Sequence, residues 1–255
     1  MKLVTQVSEV HEFIDECRIQ KSTVGIVPTM GFLHEGHTSL MQRADNENDK
    51  TIVTIFVNPL QFAEGEDLSS YPQNLEKDIN ECEAIGVDLL FIPSSEEMYS
   101  QPIFTAVHID RMASNMEGVS RPTHFSGVAT VVAKLFNIAG PCSAYFGEKD
   151  FQQCLVVTRM ARDLNIPIEV VPVETVREAD GLAMSSRNAY LSDVHRTVAP
   201  VIYRTVRDVA ASVREGQTPA TAAAHGVEAL KAAGIERVEY LDVRDAETLA
   251  EEWPE

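Results

Sequence analysis

The sequence predicts an α/β fold, a doubly wound, Rossmann-like parallel sheet with a second, smaller α+β domain. Short apolar runs rich in β-branched residues recur at residues 23–27, 51–57, 88–92, 143–146 and 168–173. Longer segments with apolar residues at helical spacing lie between them, at residues 35–46, 74–85, 127–139 and 151–165. Buried strands that alternate with crossover helices form an open parallel sheet with helices on both faces.

The pattern changes near residue 176. A polar loop, 177–192, is followed by alanine-rich helical segments around 199–215 and 220–233, and then by one apparent strand at 237–243. The sequence therefore predicts a nucleotide- and substrate-binding domain at residues 1–175 and a small lid domain at residues 176–255.

Composition limits the classes of partner. Lysine and arginine number 21 against 39 aspartates and glutamates, so the formal net charge is −18. Such a charge repels a phosphate backbone and argues against nucleic acid as a partner. No apolar run approaches a membrane span, and the first residues lack a signal-peptide pattern, so we expect no membrane partner and a cytoplasmic protein. The four cysteines show no metal or disulfide spacing.

A glycine turn and two histidines follow the first predicted strand, in the segment PTMGFLHEGH. Pro28 is expected to end the strand's ladder and Gly31 to permit a tight turn. His34 and His37 are three residues apart, hence on one face of the first turn of a helix, where backbone N–H groups attract phosphate. One alternative is that both histidines are surface residues that cap the helix, as in most isolated H-x-x-H pairs. The other is a zinc site, which the spacing fits less well.

Amide side chains follow the next strand, in FVNPLQF. The carboxyl ends of parallel strands carry the ligand sites of doubly wound sheets, so Asn58 and Gln61 are candidates for binding a small hydroxylated acid. A simple Asn-Pro turn explains Asn58 equally well.

The segment FGEKDFQQ again carries a strand through glycine into a helix. Lys149 could bind phosphate oxygens and Asp150 ribose hydroxyls, although a solvated helix cap with Asp150 as N-cap is the stronger interpretation of this segment alone. Gln152 and Gln153 point in different directions on a helix, so at most one should reach a substrate.

The polar segment VREADGLAMSSRN supplies two hydroxyls and an arginine in succession, Ser185, Ser186 and Arg187. This chemistry suits a triphosphate, and a flexible linker is the alternative. Met184 can equally be a packing residue.

Five segments, PTMGFLHEGH, FVNPLQF, RPTHFSGV, FGEKDFQQ and DGLAMSSRN, occur in this order within residues 23–192. Their order resembles the pantothenate synthetase (pantoate–β-alanine ligase) family, and HEGH with MSSR resembles, more loosely, the wider HxGH nucleotidyltransferase superfamily. The resemblance implies ATP-dependent condensation of pantoate with β-alanine through a pantoyl adenylate. It also implies a requirement for Mg²⁺ and a homodimer.

By the same resemblance, His34 and His37 would neutralise the α-phosphate, with His37 the better candidate for donating a proton to the leaving pyrophosphate. The resemblance assigns ATP to Met30, Gly31, His34, His37, Gly147, Lys149, Asp150, Val176, Met184, Ser185, Ser186 and Arg187. It assigns pantoate and β-alanine to Met30, Asn58, Gln61 and Gln153, and Mg²⁺ to Asp78. For Asp78, a solvated helix face is the alternative.

Two other functions stay open at this point. A transferase that moves a nucleotide onto a phosphate acceptor would need cations rather than glutamines in its acceptor pocket. A module that only senses ATP would not need two imidazoles directed at one phosphate. The chain departs from the family pattern at its carboxyl end, where the small domain's sheet is expected to be cut short.

Overall fold

The computed structural model describes residues 1–99 and 101–251, and these contain one six-stranded sheet with the order β1-β4-β3-β2-β5-β6. The strands are β1 (Lys2–Val4), β2 (Val24–Thr29), β3 (Lys50–Ile55), β4 (Leu89–Phe91), β5 (Cys142–Gly147) and β6 (Ile168–Val173). Every neighbouring pair is parallel. The predicted α/β class and parallel sheet are therefore confirmed.

Six helices match the predicted segments to within a few residues, whereas α1, α4, α5 and α8 were not predicted from the sequence. Along the described chain they are α1 (Val7–Gln20), α2 (Glu35–Glu47), α3 (Leu75–Ile85), α4 (Ser95–Met98), α5 (Glu117–Ser120), α6 (His124–Ala139), α7 (Phe151–Asp163), α8 (Asp193–Val198), α9 (Val201–Arg214) and α10 (Pro219–Ala232). None of them is both long and apolar enough to cross a bilayer.

The core has two layers, one on each face of the sheet. Side chains of α1, α6 and α7 pack with one set of strand residues, and side chains of α2 and α3 pack with the other. The central strands are apolar on both faces because both faces are covered, and β3 is buried from Thr51 to Ile55. The continuous apolar runs of the sequence have this physical origin.

The sheet has its topological switch point beside β2. The chain passes directly from β2 to β3 on one side, but returns to β5 on the other side only after β4 and α6. In sheets of this kind a crevice opens at the carboxyl ends of the two strands, and ligands bind there.

Pro28 does not end β2, contrary to the prediction. The ladder with β3 continues to Thr29, and Pro28 itself pairs in register with Thr54. The ladder with β5 stops at Ile26, so Pro28 lies where β2 has a hydrogen-bonded neighbour on one side only. Proline is tolerated at such a position because a missing N–H there costs little.

The predicted strand at residues 237–243 is also wrong. These residues pair with no other strand in the described chain. Instead, the Tyr240 hydroxyl donates to the carboxylate of Glu117 in α5 at 3.2 Å. Alternating apolar residues predict a strand only where a neighbouring strand is available, and the packing of α10 on α9 provides none.

Candidate active site

One cavity lies at the switch point, between the carboxyl ends of β2 and β5 and the segment that follows β6. Most of the residues singled out in the sequence line it: Met30, His34, His37, Asn58, Gln61, Gly147, Lys149, Asp150, Gln153, Val176, Met184, Ser185, Ser186 and Arg187. Gly31 and Asp78 do not belong to the lining. Segments more than 100 residues apart in sequence thus meet at one place.

The turn after β2 is held by the carboxylate of Asp78 in α3. One carboxylate oxygen accepts from the backbone N–H of Phe32 at 2.8 Å, and the other accepts from that of Leu33 at 2.7 Å. The turn needs this support because Gly31 and Phe32 both have positive φ, 82° and 51°. A side chain on Gly31 would also come within 3.0 Å of Asp78 and Ile55. Gly31 therefore shapes the turn and does not line the cavity.

The turn delivers His34 as the N-cap of α2. The Nδ1 atom of His34 accepts from the backbone N–H of Gly36 at 3.1 Å, so a neutral His34 carries its proton on Nε2. The cap expected as an alternative is therefore present, in a residue that also lines the cavity. The ring of His37 lies 4.0 Å from that of His34, centroid to centroid. Its Nδ1 is buried and has no hydrogen-bond partner within the described part of the chain.

Both imidazoles are neutral at pH 7. Burial lowers the pKa of His34 to about 4, and the positive charges of Lys149 and Lys77 act in the same direction. Burial lowers the pKa of His37 to about 3, helped by His34 and Lys149. The pair is therefore suited to donate hydrogen bonds to phosphate, but it brings no positive charge of its own in the free protein.

Asn58 lies in the lining, but its polar atoms are already used. Its amide donates to the carbonyl of Gly127 at 3.1 Å and to Oε1 of Gln61 at 3.2 Å. Its oxygen accepts from the Tyr99 hydroxyl at 2.8 Å and from the N–H of Leu60 at 3.3 Å. Direct binding of substrate by Asn58 is not supported by this geometry, because no donor or acceptor is left.

Gln61 is oriented by Asn58. Since its oxygen accepts from Asn58, its amide nitrogen points toward Met30, whose thioether sulfur at 2.9 Å is a weak acceptor. The main-chain carbonyl of Gln61 is held by Arg121 at 3.2 Å and by Nδ1 of His124 at 3.0 Å. Gln61 therefore offers an N–H donor that a carboxylate or hydroxyl oxygen would satisfy better than sulfur does.

The turn that follows β5 contributes Lys149, whose ammonium pairs with Asp150 at 3.1 Å. Asp150 occupies the N-cap position of α7 but makes no capping hydrogen bond with its side chain. The two glutamines that follow face different directions, as predicted. Gln153 lines the cavity, whereas the buried Gln152 donates to the carbonyls of Met112 and Asn115.

The segment after β6 is folded, not a flexible linker. Met184 donates its N–H to the carbonyl of Val176 at 3.0 Å, which closes a short antiparallel turn. The Ser186 hydroxyl donates to the carbonyl of Phe32 at 3.2 Å. Arg187 forms a bidentate ion pair with Asp67, with both nitrogen–oxygen distances at 2.9 Å. The guanidinium of Arg187, which was expected to bind phosphate, is therefore already paired with the carboxylate of Asp67.

The residues present do not fit a protein-held magnesium ion. Asp78 is 1% exposed and lies outside the cavity lining, and both its oxygens accept from backbone amides. The alternative of a solvated helix face for Asp78 is wrong for the same reason. Among the described residues there is no group of three or more His, Cys, Asp or Glu side chains suited to a metal.

Comparison with known proteins identifies the family. The sequence profile described as "Pantoate-beta-alanine ligase" matches residues 2–255. The chain belongs to the pantoate-beta-alanine ligase family. It is 49% identical to a pantothenate synthetase of Thermus thermophilus over 98% of this chain and 89% of that protein. It is 48% identical to that of Agrobacterium fabrum over 98% of this chain and 86% of that protein.

Solved structures of family members share the fold. The crystal structure of a Thermus thermophilus pantothenate synthetase has a TM-score of 0.92 at 48% identity, covering 100% of this chain and 91% of that one. The pantoate-beta-alanine ligase of Francisella tularensis, complexed with "Beta-gamma ATP and Beta-alanine", has a TM-score of 0.82 at 35% identity. The match covers 92% of this chain and 86% of the Francisella protein.

Several residues that shape the site were missed at the sequence level. Asp67 holds Arg187, and Tyr99 completes the hydrogen bonds of Asn58. Arg121 and His124 were quoted within the family segment RPTHFSGV without a role, and both hold the carbonyl of Gln61. Each acts across a large distance in sequence, which spacing alone does not reveal.

Asp78→Asn tests whether this carboxylate supports the turn or binds metal. We expect a loss of about 1–3 kcal/mol in the free energy of unfolding, because one buried backbone N–H loses its acceptor. The magnesium concentration for half-maximal activity should not change. Urea unfolding and a magnesium titration measure the two quantities, with Asp163→Asn, in an exposed ion pair with Arg159, as the control. Unchanged stability with a shifted magnesium requirement would contradict the structural role.

The depressed pKa of His37 predicts a pH dependence of stability. The unfolded chain binds a proton near pH 6.5 and the folded protein only near pH 3, so stability is complete above about 6.5 and declines as the pH falls toward 3. Each pH unit in this window costs up to about 1.4 kcal/mol. Denaturant unfolding of wild type and His37→Gln between pH 7 and 4 measures it. The free energy of unfolding of the variant should fall less on acidification than that of wild type. Parallel curves of unfolding free energy against pH would refute the lowered pKa of His37.

Proposed function

We propose that the protein condenses pantoate with β-alanine in an ATP-dependent reaction that gives pantothenate, AMP and pyrophosphate. The observation that carries the proposal is the single cavity in which the imidazole pair meets Lys149, Arg187 and Gln61. Donors for phosphate and a neutral amide for a hydroxylated acid lie side by side there. Family membership supports the same reaction.

The order of the steps follows from the chemistry of the bonds. The carboxylate of pantoate attacks the α-phosphorus of ATP, and the bond to the α,β-bridging oxygen breaks as pyrophosphate leaves with the electron pair. The unprotonated amine of β-alanine then attacks the acyl carbon of the mixed anhydride. AMP leaves and the nitrogen loses its proton. Activation comes first because an amine does not displace a carboxylate oxygen directly at neutral pH.

We assign the imidazoles to the α-phosphate. A neutral His34 can donate the N–H of its Nε2, and His37 lies beside it on the same helix. These donors stabilise the charge that develops as phosphorus is attacked. Anionic phosphate raises the pKa of a neighbouring imidazole, so His37 becomes a proton donor toward pyrophosphate only when ATP is bound.

The remaining assignments carry the family pattern onto residues of the cavity. Lys149, Ser185, Ser186 and Arg187 would bind the β- and γ-phosphates, Gly147 and Asp150 the ribose, and Val176 and Met184 the adenine. Gln61 and Gln153 would bind pantoate, while Met30 lies between the nucleotide and the acid. To bind phosphate in this way, Arg187 must first release the carboxylate of Asp67. Mg²⁺ is best treated as part of the substrate, arriving with ATP, because the described residues offer no carboxylate cluster for it.

Isotope exchange between pyrophosphate and ATP tests the proposal. We expect exchange that depends on pantoate, and a rate at least about 10²-fold lower in His37→Ala, as for loss of a group that stabilises the transition state. His11→Ala, on the exposed side of α1, is the matched control. Exchange driven by a phosphorylated acceptor instead of pantoate would indicate a nucleotidyltransferase. ATP binding without any exchange would indicate a sensor.

We propose that residues 176–255 act as a lid over the cavity in residues 1–175. The hydrogen bond from Ser186 to Phe32 and the ion pair between Arg187 and Asp67 join the two parts at the cavity rim. Exclusion of water matters because water competes with β-alanine for the anhydride. ATP plus pantoate should therefore slow proteolysis within 176–192 several-fold. Equal cleavage rates with and without the ligands would reject the lid.

A homodimer is also proposed. Ile103 and Phe104 are 38% and 90% exposed on a segment without regular structure, and Phe104 in particular is unusually exposed for its size. Sedimentation equilibrium of wild type and Phe104→Ser tests whether two copies bury these side chains. A monomeric wild type at micromolar concentration would reject the dimer.

The reaction is expected in the cytoplasm. The four cysteines are unpaired in the structure, and Cys17, Cys82 and Cys154 are buried. Reduced, buried thiols agree with a reducing compartment. Cell fractionation tests this location, and recovery outside the cytoplasm would contradict it.

A further inference from the structure

The phosphate part of the cavity is short of positive charge. The triphosphate of ATP carries about four negative charges near pH 7, of which the Mg²⁺ that arrives with it offsets about two, and the whole chain has a net charge of −18. Both imidazoles are neutral in the free protein. Lys149 and Arg187, the Lys and Arg side chains found in the described lining, are each already paired with a carboxylate. An additional cation near the imidazoles would therefore have a large effect on binding.

Lys77 lies beside the turn that carries the imidazole pair, just outside the residues that line the cavity. It belongs to the first turn of α3, directly before Asp78, and its ammonium donates to the carbonyl of Leu33 at 3.3 Å. That carbonyl immediately precedes His34, and the charge of Lys77 acts on the His34 imidazole. Lys77 is exposed and makes no ion pair within 4.0 Å in the described chain. Its ammonium is therefore attached by a single long hydrogen bond to a neutral acceptor.

Two neighbouring residues of α3 thus serve the HEGH turn in different ways. Asp78 holds the backbone N–H groups of Phe32 and Leu33 from the buried side, whereas Lys77 reaches the same turn from the exposed side. A lysine on a flexible stem can leave a carbonyl for a phosphate oxygen at low cost, because a charge-assisted hydrogen bond is the stronger of the two.

We propose that Lys77 is a further ATP-binding residue, which contacts the pyrophosphate portion of the bound triphosphate from the α3 side of the imidazole pair. The proposal rests on the proposed function, since it takes ATP as the ligand of the cavity. Lys77 supplies charge from α3 while Lys149 supplies it from the end of β5, so the two lysines neutralise the triphosphate from different elements. The role is binding and charge neutralisation, with no covalent step.

Calorimetric titration with ATP and with AMP separates phosphate binding from support of the turn. Lys77→Gln should weaken ATP binding about 10- to 150-fold, as expected for loss of a hydrogen bond to a charged group, and AMP binding less than about 2-fold. AMP lacks the β- and γ-phosphates, but its α-phosphate would bind at the same turn after β2, which carries His34. Lys77→Arg should recover most of the ATP affinity. Lys21→Gln, which makes the same charge change at the end of α1, should bind both nucleotides as wild type does.

Two results would overturn the proposal. Equal ATP affinity in wild type and Lys77→Gln would show that the ammonium does not contact phosphate. Equal weakening of ATP and AMP would show that Lys77 acts only on the turn, through Leu33. Thermal unfolding of each variant checks that the exposed substitution leaves the fold intact. If wild type itself bound no ATP, the proposed function would fail, which is a different result from a failure of Lys77 alone.

Discussion

The site depends on the carboxylate of Asp78 and the two backbone N–H groups that it accepts from Phe32 and Leu33. The turn after β2 contains two successive residues with positive φ, a conformation that a non-glycine residue adopts only when its surroundings enforce it. With the turn held, α2 begins at a defined point. His34 then caps the helix, and His37 follows on the same face.

Charge in the free site is arranged for exchange with a ligand. The imidazoles are kept neutral by burial, and the guanidinium of Arg187 and the ammonium of Lys149 are paired with Asp67 and Asp150. Under the proposed function an anionic ligand would replace these carboxylates, so each lost ion pair would offset part of the gain from phosphate binding. The arrangement keeps cations oriented in an otherwise strongly acidic protein, and under the proposed function it would couple phosphate binding to movement at the cavity rim.

Sequence reasoning found five of the six strands and most of the cavity because buried strands and glycine turns are local signals; the three-residue β1 is too short to give such a signal. It failed for side chains whose hydrogen-bond partners lie far away in the sequence. Asp78 looked like a metal ligand or a solvated residue, since its acceptor role depends on amides 45 residues earlier in the chain. Asn58 looked like a substrate ligand, yet Tyr99 and Gly127 saturate it. The false strand at 237–243 failed for a related reason, because alternation does not reveal whether a neighbouring strand exists.

A crystal structure of the protein with a non-hydrolysable ATP analogue and pantoate tests the central claim most directly. The account predicts the α-phosphate within hydrogen-bond distance of His34 and His37, with Lys149 on the same triphosphate and Arg187 moved from Asp67 to a phosphate oxygen. It also predicts that the bonds from Phe32 and Leu33 to Asp78 remain. A triphosphate bound away from the imidazole pair, or a magnesium ion on Asp78 with the turn rearranged, would contradict it.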